Sequence, residues 1–399
     1  MIYNCGRSAE QRKFDIKSAF RLLIVNPADF DLLGMKFDNM YYIDKCLLMD
    51  CSVSCNLFEK FSIFLQWVVE TRCGLHSVDH YLDDFILVGR KFSNDCSTLM
   101  NTLMDVCDEL GVPIAEYKTV GPSNIITFLG FIIDTVLMMV RIPEEKLQRL
   151  RNLLQPLLYK KKVSLKDLES LTGLMAYCSR AILSSRAFIR RFYDLIAAVN
   201  NKKPHYIVCI NKEVKADVQM WLQFLIEFNG QCYIPEKTWL SNDTLELFTD
   251  SSGSPELGCG AYFCSRWAQF RWPSSWKHLP IRRNMSLLEF IPVVLALYLW
   301  ANILQAKKIF FHIDNLALVS IINKRTSKDK QIMKLVRHLV LLIMLNDIQF
   351  KATHINTTEH SIADVFSRFQ MDRFRLLAPQ AVKKPVPVPT KFWKIILDL

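Results

Sequence analysis

The sequence predicts a protein of mixed α+β and α/β architecture with more than one domain. Its 399 residues suffice for two or three domains, and 51% hydrophobic residues exclude a largely disordered chain. Short apolar runs alternate with helical patterns in the first and third parts of the chain, and a helical, basic block separates them. We therefore expect segments at 1–142, 143–242 and 243–370, followed by a Pro-rich tail at 371–399.

In the first segment, strands and helices alternate. The apolar runs FRLLIV, YLDDFILVG and IITFLGFIID predict strands. LFEKFSIFLQWVVE and CSTLMNTLMDVCDELG have helical periodicity, and Gly111 ends the second of these helices. This alternation is typical of an α+β domain.

The second segment is helical and basic. IPEEKLQRLRNLLQPLLYKKK has Pro143 in a first-turn position and acids near the helix start, as the helix dipole favours. Further along lie Arg180, Arg186, Arg190 and Arg191. A solvated face on a helical bundle explains any one of these arginines. As a group they suit a nucleic-acid backbone, where each cation releases counterions.

The third segment predicts a mixed sheet with helices packed on it. TLELFTDSS, GCGAYFCSR and WAQFRWP read as strands, followed by a helix around Glu289, the strand KIFFHIDN, further helices and the strand IQFKATHI. The apolar stretch 287–304 contains Glu289 and Pro292, and its strictly apolar part is too short to span a bilayer. We expect a buried helix there, and the membrane-associated alternative rests only on this stretch and on positive charge.

Charge and cysteine content limit the partners and the compartment. The net charge of +11 and pI near 9.0 suit a polyanion such as nucleic acid, or an acidic membrane surface. The twelve cysteines are scattered singly and no secretory signal precedes them, so we expect free thiols in a cytoplasmic or nuclear protein that is not secreted.

Acidic residues fall at the ends of elements in the third segment: Asp250, Glu289, Asp314 and Asp364, the last ten residues after His354. Any single aspartate could simply cap the next turn or helix. An acid in an apolar setting costs several kcal/mol unless it is paired or bound to a metal. Four such positions on separate elements predict convergence on a cation cluster.

A second acidic pair, Asp83 and Asp84, interrupts the apolar run HYLDDFILVG. The pair is compatible with a polar turn between two strands. It is also compatible with a metal site, because a divalent cation removes the repulsion between adjacent carboxylates.

The acids of the third segment resemble the site of ribonuclease H, over about residues 245–370. The order is an Asp, a Glu on the first helix, an Asp after the fourth strand and a final Asp behind a His. The resemblance implies two divalent ions, Mg²⁺ or Mn²⁺, held by Asp250, Glu289, Asp314 and Asp364 to hydrolyse the RNA strand of an RNA–DNA hybrid. It also implies that His354 assists proton transfer or product release.

The first segment resembles the palm of a reverse transcriptase, through KFDIKSAF and the Tyr-Leu-Asp-Asp hairpin. This resemblance implies that Asp15 and Asp83 hold two magnesium ions beside Asp84. It implies that Phe20 excludes the ribose 2′-hydroxyl and that Lys118 lies near the nucleotide phosphates. The run FLGFIID is similar to the primer grip.

Palm, helical thumb and ribonuclease H together resemble retroelement polymerases, and MDCSVSCNLFEKF, DHYLDDF and HIDNLALVSIIN resemble DIRS-like retrotransposons most closely. The implied partners are RNA template, DNA primer, RNA–DNA hybrid and deoxynucleoside triphosphates.

Three positions depart from that family. Leu48 and Asp50 stand where it has Pro and Gly, and Ser18 replaces a common acid. By the same resemblance most of the fingers are missing, and the chain reads as a fragment or decayed copy. We expect ribonuclease H activity with impaired polymerisation, and the alternative is a non-catalytic nucleic-acid-binding protein derived from such an element.

Overall fold

The computed structural model describes residues 1–181, 183–199, 203–228, 231–234, 238–356 and 361–399. It divides into two compact units, Met1–Pro143 and Glu144–Leu399. Both units combine helices and sheets, so the predicted mixed α+β architecture is confirmed.

The first unit is built on an antiparallel sheet. Its helices and strands are α1 (Ile2–Cys5), β1 (Glu10–Asp15), β2 (Gly34–Phe37), β3 (Met40–Ile43), α2 (Ser54–Cys73), β4 (Val78–Tyr81), β5 (Asp84–Gly89), α3 (Asp95–Glu109), β6 (Val120–Ser123), β7 (Ile125–Phe128), β8 (Phe131–Asp134) and β9 (Met139–Arg141). The main sheet has the order β4–β5–β1–β6. β2 pairs with β3, and β7, β8 and β9 form an antiparallel meander.

The core of this unit lies between the main sheet and the helices α2 and α3. Phe14 and Phe85 from the paired strands β1 and β5 meet Phe58 of α2 and Leu99 and Leu103 of α3, and all five are fully buried. This packing fixes β1 beside β5, so the end of that strand pair has a defined position.

The second unit begins with helices and a short pair of strands and continues, in its described residues, into two three-stranded sheets. Its elements are α4 (Glu144–Leu154), β10 (Lys162–Ser164), α5 (Leu165–Ala181), α6 (Arg190–Ala197), β11 (Ile207–Cys209), α7 (Lys212–Phe228), β12 (Gln231–Tyr233), β13 (Trp239–Leu240), α8 (Asn242–Leu245), β14 (Leu247–Ser251), β15 (Gly258–Phe263), β16 (Arg266–Arg271), α9 (Met285–Trp300), β17 (Lys308–Ile313), α10 (Leu316–Lys324), α11 (Lys330–Leu345), β18 (Gln349–His354), α12 (Ser361–Ser367), α13 (Met371–Leu377) and α14 (Thr390–Leu397).

The sheets of the second unit differ in strand direction. β14, β15 and β16 form an antiparallel sheet, whereas β13, β17 and β18 are parallel. Helix α9 packs against β14, β15 and α11 and is buried over most of its length, which confirms the buried helix predicted near Glu289. Among the described residues, no helix has the length and apolar character needed to cross a membrane.

Some predicted elements differ from the structure. The run FRLLIV is not a strand: it contains a short 3-10 helix, Ala19–Leu22, and an isolated bridge at Ile24. The Pro-rich segment is extended, but it docks on the protein, because Trp267 Nε1 donates to the Val382 carbonyl at 2.8 Å. Helix α14, which the sequence patterns did not predict, buries Phe392. All twelve cysteines are free thiols.

Candidate functional site

Three aspartates of the first unit lie at one end of the β1–β5 pair. Asp15, the last residue of β1, is opposite Asp84, the first residue of β5, and Asp83 occupies the turn before it. The turn is tight, since Leu82 has a φ of 54°, and the Asp83 carbonyl accepts from the Ile16 amide at 3.1 Å. Backbone pairing therefore brings together carboxylates that are distant in sequence.

Polar side chains support the hairpin that carries Asp83. Ser62 Oγ donates to the Leu82 carbonyl at 2.8 Å, and Glu59 Oε2 accepts from the Leu82 amide at 3.3 Å. His80 Nδ1 lies 2.6 Å from Gln66 Oε1. Helix α2 thus holds the turn through hydrogen bonds as well as through the core. Sequence analysis did not identify these supporting residues, because single polar residues on a helix carry no distinguishing pattern.

Lys118 contacts the acids directly. Its Nζ lies 3.0 and 2.9 Å from the two carboxylate oxygens of Asp15, a residue that is only 4% exposed. This hydrogen bond is the main cause that raises the pKa of Lys118. The Ala115 amide donates to the Asp15 carbonyl at 2.9 Å, which ties the lysine segment to the end of β1. The structure therefore brings Lys118 to the predicted aspartates.

The pKa values of the two neighbouring aspartates are raised. Burial raises the pKa of Asp83, and the charge of Asp15 adds to this effect while Lys118 opposes it. Burial also raises the pKa of Asp84, reinforced by the charges of Asp83 and Asp15. Such mutual repulsion is relieved by a bound cation.

Asp50 and the two residues before Phe20 have left-handed backbone conformations. Phe20 follows two left-handed residues, Ser18 and Ala19, and its ring meets that of Phe58 edge-on, with the centroids 5.2 Å apart. Asp50 is exposed with a φ of 62°, a conformation that glycine adopts without steric cost. The backbone at position 50 therefore suits glycine better than the aspartate present.

The predicted acids of the second unit come from four elements. Asp250 lies in β14 opposite Gly260 of β15, Glu289 lies in α9, Asp314 directly follows β17, and Asp364 lies in α12. A Cβ atom at Gly260 would lie 2.6 Å from the Cβ of Phe366, so glycine is needed for α12 to approach this sheet.

The acids lie near enough for their charges to act on one another. Burial raises the pKa of Asp250 to about 6, with further contributions from Asp314 and Asp364 and an opposing hydrogen bond from Ser367. Burial raises the pKa of Glu289 to about 7, again with Asp314 and Asp250 contributing.

The two remaining predicted residues lie at the edge of this cluster. Asp364 forms an ion pair with Arg368, with 2.7 Å between Oδ1 and Nε. His354 is exposed and ends β18, where it is paired with Ile313, the residue before Asp314. The carboxyl ends of two parallel strands therefore place His354 and Asp314 at the same sheet edge.

The side chains have the donor chemistry of a magnesium site. Carboxylate oxygens are hard ligands, and buried Glu289 Oε2 has no hydrogen-bond partner among the described residues. Within the described ranges, however, no group of three or more His, Cys, Asp or Glu side chains has an arrangement that could hold a metal ion. The acids thus have suitable ligand atoms for a cation, but among the described residues their side chains are not arranged around a common metal position.

No protein family and no curated protein matches this chain. Solved structures of foamy viral protease–reverse transcriptase do match. In complex with double-stranded DNA, one has a TM-score of 0.46 and 14% identity, covering 87% of this chain and 57% of that chain. Another, in complex with an RNA/DNA hybrid, has a TM-score of 0.46 and 15% identity, covering 86% of this chain and 44% of that chain. The chain thus spans about half the length of these two proteins, which it resembles in backbone structure at low sequence identity.

Proposed function

We propose that the second unit is a ribonuclease H that cleaves the RNA strand of RNA–DNA hybrids. The observation that carries this proposal is the placement of Asp250, Glu289, Asp314 and Asp364 on or directly after four separate elements, near enough for their charges to raise the pKa values of Asp250 and Glu289. A purely structural role does not account for them, since half-buried, mutually repelling carboxylates destabilise a fold.

The four acids would hold two divalent ions, Mg²⁺ or Mn²⁺. When bound, these ions supply activation of a water molecule and stabilisation of the leaving oxygen. Glu289 holds a proton near neutral pH when its charge is not compensated, because burial raises its pKa to about 7. Exposed His354 at the same sheet edge is placed to exchange a proton with solvent.

The first unit is proposed to be the palm of a reverse transcriptase of the DIRS-like retrotransposon type. Asp15, Asp83 and Asp84 would hold the ions for RNA-directed DNA synthesis, with RNA template, DNA primer and deoxynucleoside triphosphates as partners. Lys118 adds positive charge at the site, and Phe20 would exclude the ribose 2′-hydroxyl. Asp50 adds a negative charge where phosphates approach, so polymerisation is weakened.

A hybrid with differently labelled strands tests both activities in one reaction. The protein is incubated with a DNA primer on an RNA template, Mg²⁺ and all four deoxynucleotides. RNA cleavage with little primer extension is expected. Asp314→Asn should remove cleavage, whereas Asp372→Asn, an exposed acid outside the site, should leave it unchanged. Full cleavage by Asp314→Asn would refute the site.

A second candidate function is hybrid binding without turnover. It is favoured by one observation: among the described residues, the carboxylates are not arranged to hold a metal ion. Tight binding of the hybrid that is independent of Mg²⁺, with neither strand changed, would establish this function in place of catalysis.

A further inference from the structure

Helix α2 carries apolar side chains on two sides, and only one of these sides packs in the core. Phe58, Leu65 and Val69 are fully buried against the sheet and α3. Roughly on the opposite side of the helix, exposed residues follow one another at alternating steps of four and three. They are Val53, the residue before the helix, and Leu57, Lys60, Phe64, Trp67 and Thr71. We call these six residues the α2 seam.

Most of the α2 seam is apolar and open to solvent. Its four large apolar side chains, Val53, Leu57, Phe64 and Trp67, are 43% to 61% exposed. The ring centroids of Phe64 and Trp67 lie 6.3 Å apart, and Ile63 beside them is also exposed. Single exposed apolar residues are ordinary, whereas a continuous group of them marks an interaction surface.

The spacing of the α2 seam indicates that it meets another helix. Steps of four and three residues average 3.5, which is the repeat that keeps side chains in register between two packed helices. The seam keeps this repeat from Val53 to Thr71, a length of about 27 Å. A straight stripe of that length fits along one partner helix.

The α2 seam is complementary to itself in an antiparallel pair. A two-fold axis midway along it places Leu57 opposite Trp67, Lys60 opposite Phe64 and Val53 opposite Thr71 of the second copy. A smaller side chain then faces the indole ring, and a lysine faces a phenyl ring, which is a favourable cation–π contact. In a parallel pair, Lys60 would face Lys60 and the two charges would repel. The arrangement of side chains therefore favours a second, antiparallel copy of α2.

Charge around the α2 seam permits two copies to approach, although the whole chain has a net charge of +11. Arg72, at the end of α2, donates to both carboxylate oxygens of Glu109 at 2.8 and 2.7 Å. Glu59 and Glu70 lie on the same helix as Lys60. Acids thus balance the cations of this surface, and a copy of the same surface meets no excess of like charge.

We propose that two copies of this chain associate through the α2 seam as an antiparallel, two-fold pair of helices. The contact is one helix wide and about 27 Å long, so it is smaller than a permanent interface and forms at micromolar concentrations. Ser62, which donates to the turn before Asp83, lies on the other side of α2. Pairing therefore leaves that turn in place, and the inference is independent of both proposed activities.

The test introduces opposite charges at two positions that face each other only in the antiparallel pair. Leu57→Glu and Trp67→Lys are studied separately and as an equimolar mixture. Phe92→Glu and Tyr159→Lys, mixed in the same way, change exposed residues outside the seam by the same charges and serve as controls. Sedimentation equilibrium of the full chain without nucleic acid measures association between about 1 and 100 μM protein at about 150 mM salt. Circular dichroism checks that every variant is folded.

The parent and the control mixture should dimerise at micromolar concentrations. Each seam variant alone should weaken dimerisation at least about tenfold, because it places two unpaired charges in the interface. The seam mixture should recover most of this loss, since the introduced charges then face each other and the second Leu57–Trp67 contact is native.

Three results would overturn the proposal. The first is a parent that stays monomeric up to about 100 μM. The second is dimerisation of either seam variant alone as tightly as the parent. The third is a seam mixture that associates no better than its separate components, because this would exclude the antiparallel arrangement.

Discussion

Replacing Glu289 by Gln is expected to stabilise the metal-free protein at pH 8 while abolishing hybrid cleavage. Burial, with Asp314 and Asp250 nearby, raises the pKa of this carboxyl from 4.5 to about 7. The folded state therefore binds the proton more tightly than the unfolded state, and the stability of the parent falls as pH rises from 4.5 through about 7. Because Glu289 is only half-buried, solvent screening reduces the cost of its charge to about 1 to 2 kcal/mol at pH 8 and to less than about 1 kcal/mol at pH 5. The amide of the Glu289→Gln variant carries no charge at either pH.

Urea unfolding in EDTA, followed by tryptophan fluorescence, measures this difference. Trp67 is the only tryptophan before Pro143, so the signal reports mainly on the second unit. Glu145→Gln, an exposed acid on α4, is the matched control and should change stability by less than about 0.5 kcal/mol. Mg²⁺ at pH 8 should stabilise the parent more than the Glu289→Gln variant. The reasoning is refuted if Glu289→Gln is no more stable than the parent at pH 8, or if its gain is the same at pH 5.

Two further substitutions test other parts of the molecule. The Asp217 side chain is fully buried and lies 2.9 Å from Arg191 and 3.0 Å from Arg337, so Asp217→Asn should lower the free energy of unfolding in urea by about 3 to 5 kcal/mol. A loss below about 1 kcal/mol would contradict a role for this buried pairing. Asp50→Gly should increase primer extension, because it removes a negative charge at a backbone position that glycine already suits. Unchanged extension, measured with the labelled primer, would show that another feature limits polymerisation.

Much of the fold follows from local sequence patterns, but the strand carrying Asp15 does not. Apolar runs such as those of β5 and β17 mark buried strands, and the acids next to them, Asp83 before β5 and Asp314 after β17, mark strand ends. Strand β1 has the polar sequence EQRKFD, yet it lies in the interior of its sheet. Gln11 is fully buried there, and its Nε2 donates to the Asn124 carbonyl at 3.0 Å. Its position depends on pairing with β5 and β6, which no local pattern shows.

The opposite error occurs at FRLLIV, which has the composition of a strand. Left-handed backbone at Ser18 and Ala19 turns the chain into a short 3-10 helix instead. Ser367 was missed for a related reason: its effect on the pKa of Asp250 arises only because α12 packs closely on the sheet. The 3-10 helix and the effect of Ser367 depend on backbone conformation and on contacts between distant segments, which local composition does not predict.

The two acidic clusters compensate their negative charge by different means. In the first unit, Lys118 lies within 3.0 Å of both oxygens of Asp15 and opposes the rise in the pKa of Asp83. In the second unit, the charges that act on Asp250 and Glu289 are those of other acids, and their pKa values rise to about 6 and about 7. Apart from the ion pair between Arg368 and Asp364, protons or a divalent cation must therefore relieve the second cluster, whereas a lysine contacts the first cluster directly. It follows that the stability of the second unit depends more steeply on pH in EDTA than that of the first, and that Mg²⁺ flattens this dependence.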